Sequence, residues 1–406
     1  MNTTTPVHLG RRNVLAGGAA LAAAAALWPK HLFAQDTKVI RMGGAGPLSG
    51  PAAYWGHSTA QGFIDGAAEV NAAGGLLLGG VPHRIEVVNY DSKGETADAR
   101  AATLRLIEQD GCQYVFTNGA ASTVGVLQVS EPAGAISLAG CWGYLELFGS
   151  QYPLHFRPEM SDYEQGYAYI PFMLEKYGKD ALKTAAFIGP NDKDGTDCHF
   201  SYQRLMDYYG IKQTTALYYN WEDTDFYPIV ARCIAAKPAF IVTSPSPPGI
   251  TASIIKAARE LGYRGPISSP AASETKTILE VAGEHADGVI LPVTNVTPST
   301  EVQKAIEQRF TRRFGSFNAL AGNYSWWFWS LKAAWEMAGT ATDTRAVAEA
   351  LGQVELADSY VGRARFAGEK AFGAARQGVY DCFTTTIDKG IAKVEDVRFP
   401  ALPDNY

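Results

Sequence analysis

Short apolar runs alternate with amphipathic stretches along almost the whole chain, and the alternation restarts once near its middle. Lys38 to Met42 is the first short run. Ala60, Phe63, Ile64, Ala67 and Ala68 then recur at helical spacing. Asn71-Ala72-Ala73-Gly74-Gly75 ends that helix with residues that tolerate positive φ. Arg84 to Tyr90 alternates like a strand. Glu95 to Glu108 carries Ala97, Ala101, Leu104 and Ile107 on one helical face. Strands over Tyr114–Thr117 and Ala135–Leu138 flank a short helix over Thr123–Ser130. Strands that alternate with helices predict a parallel sheet covered on both faces.

The pattern restarts after Phe156-Arg157-Pro158. Helices are expected over Tyr163–Tyr177, Thr196–Tyr209, Phe226–Ala236 and Ile250–Leu261. Strands are expected over Thr184–Ile188, Gln213–Tyr219, Phe240–Thr243, Ile267–Ser269 and Gly288–Leu291. Long helices over Val302–Phe314 and Tyr324–Ala338 follow with no comparable strand between them. Ala364–Phe366 and Val379–Ile387 read as a closing antiparallel pair. Two similar α/β halves with late returning helices predict two lobes joined by several crossings, near Arg157, Pro292 and Phe366. The expected division is a first lobe of residues 36–157 plus 293–365 and a second of 158–292 plus 366–406.

Residues 1–35 read as a targeting segment outside the fold. Arg11-Arg12 precedes the apolar run Val14 to Trp28, and Leu32-Phe33-Ala34 offers a small-residue cleavage site. The paired arginines resemble a twin-arginine export signal, with Gly10 where Ser or Thr is usual. The apolar run is 15 residues long, short of the roughly 20 that a spanning helix needs. A periplasmic location follows as the expectation.

The formal net charge is −6, with no basic stripe, which argues against nucleic acid as a partner. The five cysteines, Cys112, Cys141, Cys198, Cys233 and Cys382, form no CxxC pair. An oxidising compartment would allow one or two disulfides, with Cys198–Cys233 the first choice. Catalytic signatures are missing: the chain has no GxSxG elbow, no HExxH and no P-loop. Pro47 and Gly50-Pro51 break a dinucleotide fingerprint at Gly43-Gly44-Ala45-Gly46. The histidines show no metal spacing. His199 follows Cys198 directly, but neighbours on a helix point apart. No cofactor, no metal and no catalytic residue is expected.

What stands out instead is Gly46-Pro47-Leu48-Ser49-Gly50-Pro51-Ala52-Ala53-Tyr54-Trp55-Gly56, between the first strand and the first helix. A turn of this kind leaves backbone N–H groups at a helix start, where they can face a ligand beside Tyr54 and Trp55. With Asn71-Ala72-Ala73-Gly74-Gly75, Tyr90-Asp91-Ser92-Lys93-Gly94, Ile136-Ser137, Phe156-Arg157, Ser161-Asp162 and Gln165-Gly166 following in order, the chain resembles the periplasmic branched-chain amino acid binding proteins, the solute receptors of ABC importers. The resemblance runs from about Lys38 to about Gly390. It implies an α/β fold of two Rossmann-like lobes joined by a three-strand hinge, which closes on a small molecule. It also implies ABC permease membrane subunits as partners and a monomeric receptor.

Carried over position by position, the resemblance puts Trp55 against the ligand. It puts Ala121, Ser122 and Thr123 in the loop that holds a ligand carboxylate, and Ala139, Gly140, Cys141 and Trp142 in a second such loop. Ser122 and Thr123 also suit the capping of the helix that follows. The departures carry the argument. Cys141 stands where the family commonly has Thr, and Ala120 or Ala121 where it has Ser. A buried carboxylate short of donors costs about 1–3 kcal/mol per missing bond. Family aromatics on the second lobe fall near Asp194 and Ser246. The acid that pairs with an amino group falls near Ala271, with Glu274 three residues on. A buried ammonium without a partner is costly, so a branched-chain amino acid is not the expected ligand.

Aromatic residues are what the chain adds. A flat ligand stacked between Trp55 and Trp142 would gain about 0.5–1.5 kcal/mol beyond area burial. Trp326 and Trp329 share a helical face with Ala333, which suits core packing, whereas Tyr324, at the expected helix start, suits the cleft. Aromatic carboxylates and small amides or ureas are the expected ligands, with Asp194 or Glu274 accepting N–H groups from an amide. The rival readings are a ligand-sensing module that reports to a signalling partner, amino acid binding by a rearranged site, and a secreted enzyme using Cys141 or Cys198.

Overall fold

The computed structural model describes residues 38–50, 52–271, 275–292 and 298–406; the targeting segment and Glu274 lie outside them. The first half builds β1 (Lys38–Gly46), α1 (Ala53–Ala72), β2 (Leu76–Leu78), β3 (Val81–Asp91), α2 (Thr96–Glu108), β4 (Tyr114–Asn118), α3 (Ala120–Ser130), β5 (Ile136–Gly140) and β6 (His155–Phe156). These strands form one sheet in the order β2-β3-β1-β4-β5-β6. β1 pairs in parallel with β3, from Lys38 opposite His83 to Gly46 opposite Asp91, and with β4 on its other side. β2 is antiparallel to β3. The chain therefore leaves β1 for one side of the sheet and later returns to fill the other.

The second half repeats the device. It contributes α4 (Asp162–Tyr177), β7 (Thr184–Pro190), α5 (Lys193–Tyr209), β8 (Lys212–Tyr219), α6 (Tyr227–Ala235), β9 (Phe240–Thr243), α7 (Pro248–Glu260), β10 (Ile267–Ser268), α8 (Thr275–Ala282) and β11 (Val289–Leu291). Then come α9 (Glu301–Phe314), α10 (Ala319–Ala338), α11 (Thr344–Leu351), β12 (Glu355–Leu356), β13 (Ala364–Ala367), α12 (Glu369–Phe372), β14 (Gln377–Tyr380), β15 (Cys382–Asp388) and β16 (Ile391–Arg398). The second sheet runs β16-β15-β11-β10-β9-β7-β8, and β12-β13-β14 form a small third sheet. β7 lies between β8 and β9, parallel to both.

Long α10 packs on α1 of the first half. Gly66 makes this approach possible: a Cβ there would come within 2.1 Å of the Phe328 ring. Phe63 stacks on Phe116 at 3.9 Å and meets Trp327 edge-on at 6.5 Å. Trp326 packs between Phe366 and Tyr380. Trp326 and Trp327 are fully buried and Trp329 is half-buried, in keeping with the expected core role.

Three expectations are corrected. The run from Val379 to Ile387 is two strands in two sheets. β14 pairs with β13, whereas β15 pairs with β11 and β16. The break falls at Asp381, whose carboxylate accepts the Arg363 backbone N–H at 2.8 Å and the Arg363 guanidinium at 2.7 Å. Tyr324 is not at a helix start. Asn318 caps Leu320 and Ala321, which places Tyr324 in the second turn with no exposure. Cys198 and Cys233 do not pair, and all five cysteines are free and buried. Cys198 belongs to the core that includes Phe187 and Tyr202, and Cys233 to the core that includes Ile188 and Ile241. Phe187 and Ile188 alternate across β7, so the two thiols lie on opposite faces of the sheet. Native protein should be nearly inert to a thiol reagent and should show five thiols per chain in guanidinium without reductant. Fewer than five would restore a disulfide.

Candidate functional site

In an open parallel sheet a ligand binds beyond the carboxyl ends of the strands, at the point where the strand order reverses. In the first sheet that point lies between β1 and β4. The segments leaving it are the opening turn, with Trp55 in the first turn of α1, and Gly119–Thr123, which opens α3. In the second sheet it lies between β7 and β9. The segments leaving it carry Asp194, in the first turn of α5, and Ser246. Trp55, Ala121, Ser122, Thr123, Asp194 and Ser246 thus fall at the two switch points, whereas Ala139 to Trp142 end and follow β5 and Tyr324 lies on α10.

The carboxyl edges of the two sheets meet. After β5 the chain runs through Cys141, Trp142, Gly143 and Tyr144. Gly143 donates its N–H to Asp194 Oδ1 at 2.5 Å, and Tyr144 donates to Asp197 Oδ2 at 2.6 Å. Lys193 Nζ lies 4.5 Å from the Tyr144 ring centre and pairs with Glu146 and Asp197. Tyr144 takes a left-handed backbone, φ 55°, to present its N–H there. Such conformations are uncommon for large residues and gather where surrounding structure holds them.

The individual positions differ in what their side chains do. Trp55 is half-buried against the main core. Ser122 is fully buried and its hydroxyl lies 2.8 Å from that of Ser92. Thr123 bonds back to the Gly119 carbonyl at 2.8 Å. Ala121 is half-buried, and its carbonyl accepts the Thr96 hydroxyl. Ala139 and Gly140 end β5. Cys141 points its thiol at the Gly143 carbonyl, 3.3 Å away. Burial, and then the charge of Asp194, push that thiol well above its usual range. Cys198 is likewise pushed up, by burial and by Asp162. Both thiols are held protonated, which suits packing and not nucleophilic attack. His199 turns away from Cys198 to Tyr218 and Gln213. Ser246 bonds the Tyr219 hydroxyl at 2.9 Å, inside the second sheet's own packing. The opening turn is tied down as well: Asp91 accepts Leu48 N–H at 2.7 Å and the Ser49 hydroxyl at 2.6 Å.

Trp142 is almost wholly buried, and its indole lies beside a residue that the sequence reading passed over, Glu159. Glu159 sits on the crossing between the two halves. Its Oε1 accepts the Tyr324 hydroxyl at 2.8 Å, and its Oε2 makes no hydrogen bond. Gly140 has no side chain because a Cβ there would come within 2.4 Å of Asn118 Nδ2 and 2.6 Å of Glu159 Oε2. Burial raises the Glu159 carboxyl to about 8. Tyr324 and Trp142 pull the other way, the Asp194 charge pushes further up, and Arg157 opposes it. Asp194 rises to about 7, through burial and then the charge of Asp192, against the Gly143 N–H. Asp162 is also pushed well up by burial, although Ser244 donates to it at 2.9 Å. One signal in the sequence pointed here: an acid between Pro158 and Met160, in the segment that must cross between sheets.

Two α/β halves that meet at the carboxyl edges of their parallel strands form a clamp, and the family model for periplasmic binding proteins matches residues 39–390. The chain belongs to that family. The leucine-, isoleucine-, valine-, threonine- and alanine-binding protein of Pseudomonas aeruginosa is 24% identical over 290 residues, 71% of this chain and 75% of that one. A branched-chain amino acid transporter substrate-binding protein from Streptococcus pneumoniae, solved with isoleucine, superposes with a TM-score of 0.72. It has 20% identity and covers 89% of this chain and 99% of its own. A Rhodopseudomonas palustris solute-binding protein solved with benzoate also gives 0.72, at 18% identity, covering 90% of this chain and 98% of its own. These likenesses establish the type I periplasmic binding protein fold. A hollow of about 560 Å³ lined by Tyr177, Arg259, Arg264 and His285 lies at the amino ends of β10 and β11, away from the seam.

A carboxyl that the fold holds protonated makes stability depend on pH. Glu159 has a folded pKa above its unfolded one, so its contribution is complete below about 4.5 and is lost as pH rises toward about 8. Urea unfolding of Glu159→Gln should therefore decline less between pH 5 and pH 8 than that of the parent. The difference should be on the order of a few kcal/mol. Parallel curves would show that Glu159 is not buried as an acid.

Proposed function

We propose that this protein is the exported solute receptor of an ABC importer. Its ligand is a small organic molecule, an aromatic carboxylate or a small amide or urea in preference to a branched-chain amino acid, and it binds by hinge closure. The lobes are assigned as 36–157 plus 293–365 and 158–292 plus 366–406, with residues 1–35 as a twin-arginine type export signal. The receptor acts as a monomer, and the membrane subunits of the importer recognise its closed form.

One observation supports this reading above others: the carboxyl edges of the two sheets face each other across Gly143, after β5, and Asp194, after β7. A ligand that touches both edges favours the closed arrangement by its differential affinity for the two states. The binding residues proposed are Trp55, Gly140, Cys141, Trp142, Asp194 and Tyr324, with the N–H groups at Ala121, Ser122 and Thr123. Leucine is disfavoured because the second loop offers a protonated thiol at Cys141 where a hydroxyl would anchor a carboxylate. The Ser122 hydroxyl is already engaged by Ser92.

Micromolar affinity corresponds to about −8 kcal/mol. A ligand at a hundred times its Kd then stabilises the fold by about 2.7 kcal/mol, a shift that thermal melts resolve. Melts with amino acids, aromatic acids, amides and ureas should show stabilisation by a member of the last three groups. Strong stabilisation by leucine would overturn the argument from the missing hydroxyls. Trp55→Ala should weaken the stabilising ligand by about tenfold or more, since an aromatic wall contributes both area and stacking. Unchanged affinity would mean that the cleft lies elsewhere.

A further inference from the structure

The crossing segment carries an acid whose second oxygen has no partner. Glu159 is 3% exposed, and its Oε2 makes no hydrogen bond among the described residues. A buried acceptor left empty costs roughly 1–3 kcal/mol, and more if charged. Such groups in native proteins call for an explanation, and a ligand is one. The surroundings are those of a binding subsite. Oε2 lies beside the Gly140 backbone at the carboxyl end of β5, where any side chain would displace it. Tyr324 orients the carboxyl from α10 by its bond to Oε1. The Trp142 indole stands alongside it. The same loop reaches Asp194 of the other half through Gly143.

The sign of the neighbourhood is as informative as the vacancy. Glu159 and Asp162 are buried and Asp194 is half-buried, and the charges of Asp194, Glu159 and the buried Arg157 all act on Cys141. That guanidinium donates to Gln377 and to the Cys141 carbonyl and pairs with Glu164 at 3.7 Å, while its Nη2 makes no hydrogen bond among the described residues. In their ionised forms Glu159 and Asp194 would repel an incoming carboxylate. A group rich in N–H would find two carboxyls able to accept.

Resting on the reading of this seam as the ligand cleft, we propose that Glu159 is a specificity-determining residue that accepts N–H donors from the ligand. The ligand class is then a small amide, urea or guanidinium-type compound and not a carboxylate. Asp194 takes a second N–H from the opposite half, so the nitrogen-bearing end of the ligand links the halves.

The test uses the mature chain, with melts and calorimetric titrations against urea, acetamide, benzamide, low-millimolar guanidinium, benzoate and leucine. At least one of the first four should raise the melting temperature. Urea, acetamide and benzamide against guanidinium separate neutral from charged donors. Glu159→Gln, which keeps the shape and one acceptor oxygen, should weaken that probe about 10- to 100-fold while keeping the parent's circular dichroism spectrum. Tyr324→Phe, which removes the bond that orients the carboxyl and leaves the carboxyl itself in place, should weaken it less. Stabilisation by benzoate or leucine alone would overturn the assignment of Glu159 and leave the solute-receptor reading standing. Binding of an N–H donor that Glu159→Gln leaves unchanged would also overturn the assignment. If none of the six probes shifts the melt, both the assignment and this placement of the cleft fail.

Discussion

A guanidinium with no access to water holds the junction of this molecule. Arg157 lies where the chain leaves the first sheet, beside the returning strand β14. Its backbone N–H and C=O bond Arg376 and Gly378, and its side chain donates to Gln377 Oε1. The guanidinium also reaches the Cys141 carbonyl at 3.5 Å and Glu164 at 3.7 Å, over the Phe148 ring at 4.4 Å. Burying such a charge is costly unless its donors are met; the planar fork of arginine reaches several acceptors at once where lysine cannot, although Nη2 has only the 3.7 Å ion pair with Glu164 among the described residues. One residue thereby fixes two chain crossings, the loop that carries Cys141, and the start of α4. Glu164 passes the restraint on: it closes the capping box with Ser161 and accepts the hydroxyl of Tyr406 at 2.6 Å.

That junction explains why a carboxyl next door can remain uncompensated. Glu159 is two residues from Arg157, yet the guanidinium is directed to Gln377 and Glu164, and Gln377 also holds the Glu159 carbonyl at 2.9 Å. The backbone of Glu159 is pinned while its second oxygen is left unbonded. A rigid crossing that presents an under-satisfied acceptor is what a specificity element needs, since an ordered carboxyl loses little freedom when it meets its ligand.

The sequence was legible where local physics decided the outcome. Strand–helix alternation located β1, β4, β7 and β9 and the helices between them, because period and turn residues are local signals. Helix starts were read late where a cap replaced apolar periodicity: Gly119, with φ 92°, opens α3 before Thr123, and Asn318 opens α10 before Tyr324. The run from Val379 to Ile387 looked continuous because nothing nearby announces that Asp381 is engaged by Arg363, 18 residues away. Cys198 and Cys233 looked pairable because consecutive helices are close in sequence, whereas the face of the sheet each occupies depends on topology. The loops that leave the carboxyl ends of β1, β4, β5, β7 and β9 were legible as loops. What their side chains touch was not, since Ser122 meeting Ser92 and Trp142 meeting Glu159 are tertiary facts.

The two carboxyl edges can also be compared for what each offers a ligand. The first half brings aromatic surface and a loop stripped of free hydroxyls: Cys141 is a protonated thiol, and Thr123 is bonded to its own helix. The second half brings Asp194, held at a helix start by a backbone N–H from the other side. The positive end of the helix dipole favours the ionised form there, burial opposes it, and the net result is a carboxyl near neutrality. Glu159 is likewise raised without a helix, by burial against the Tyr324 hydroxyl. Two acids poised in this way, one on the crossing and one on the far lobe, impose little charge cost on the empty clamp. If the seam is the proposed cleft, an N–H donor would favour their ionised forms and make them stronger acceptors, and that difference between empty and filled states would give a binding event the means to drive closure.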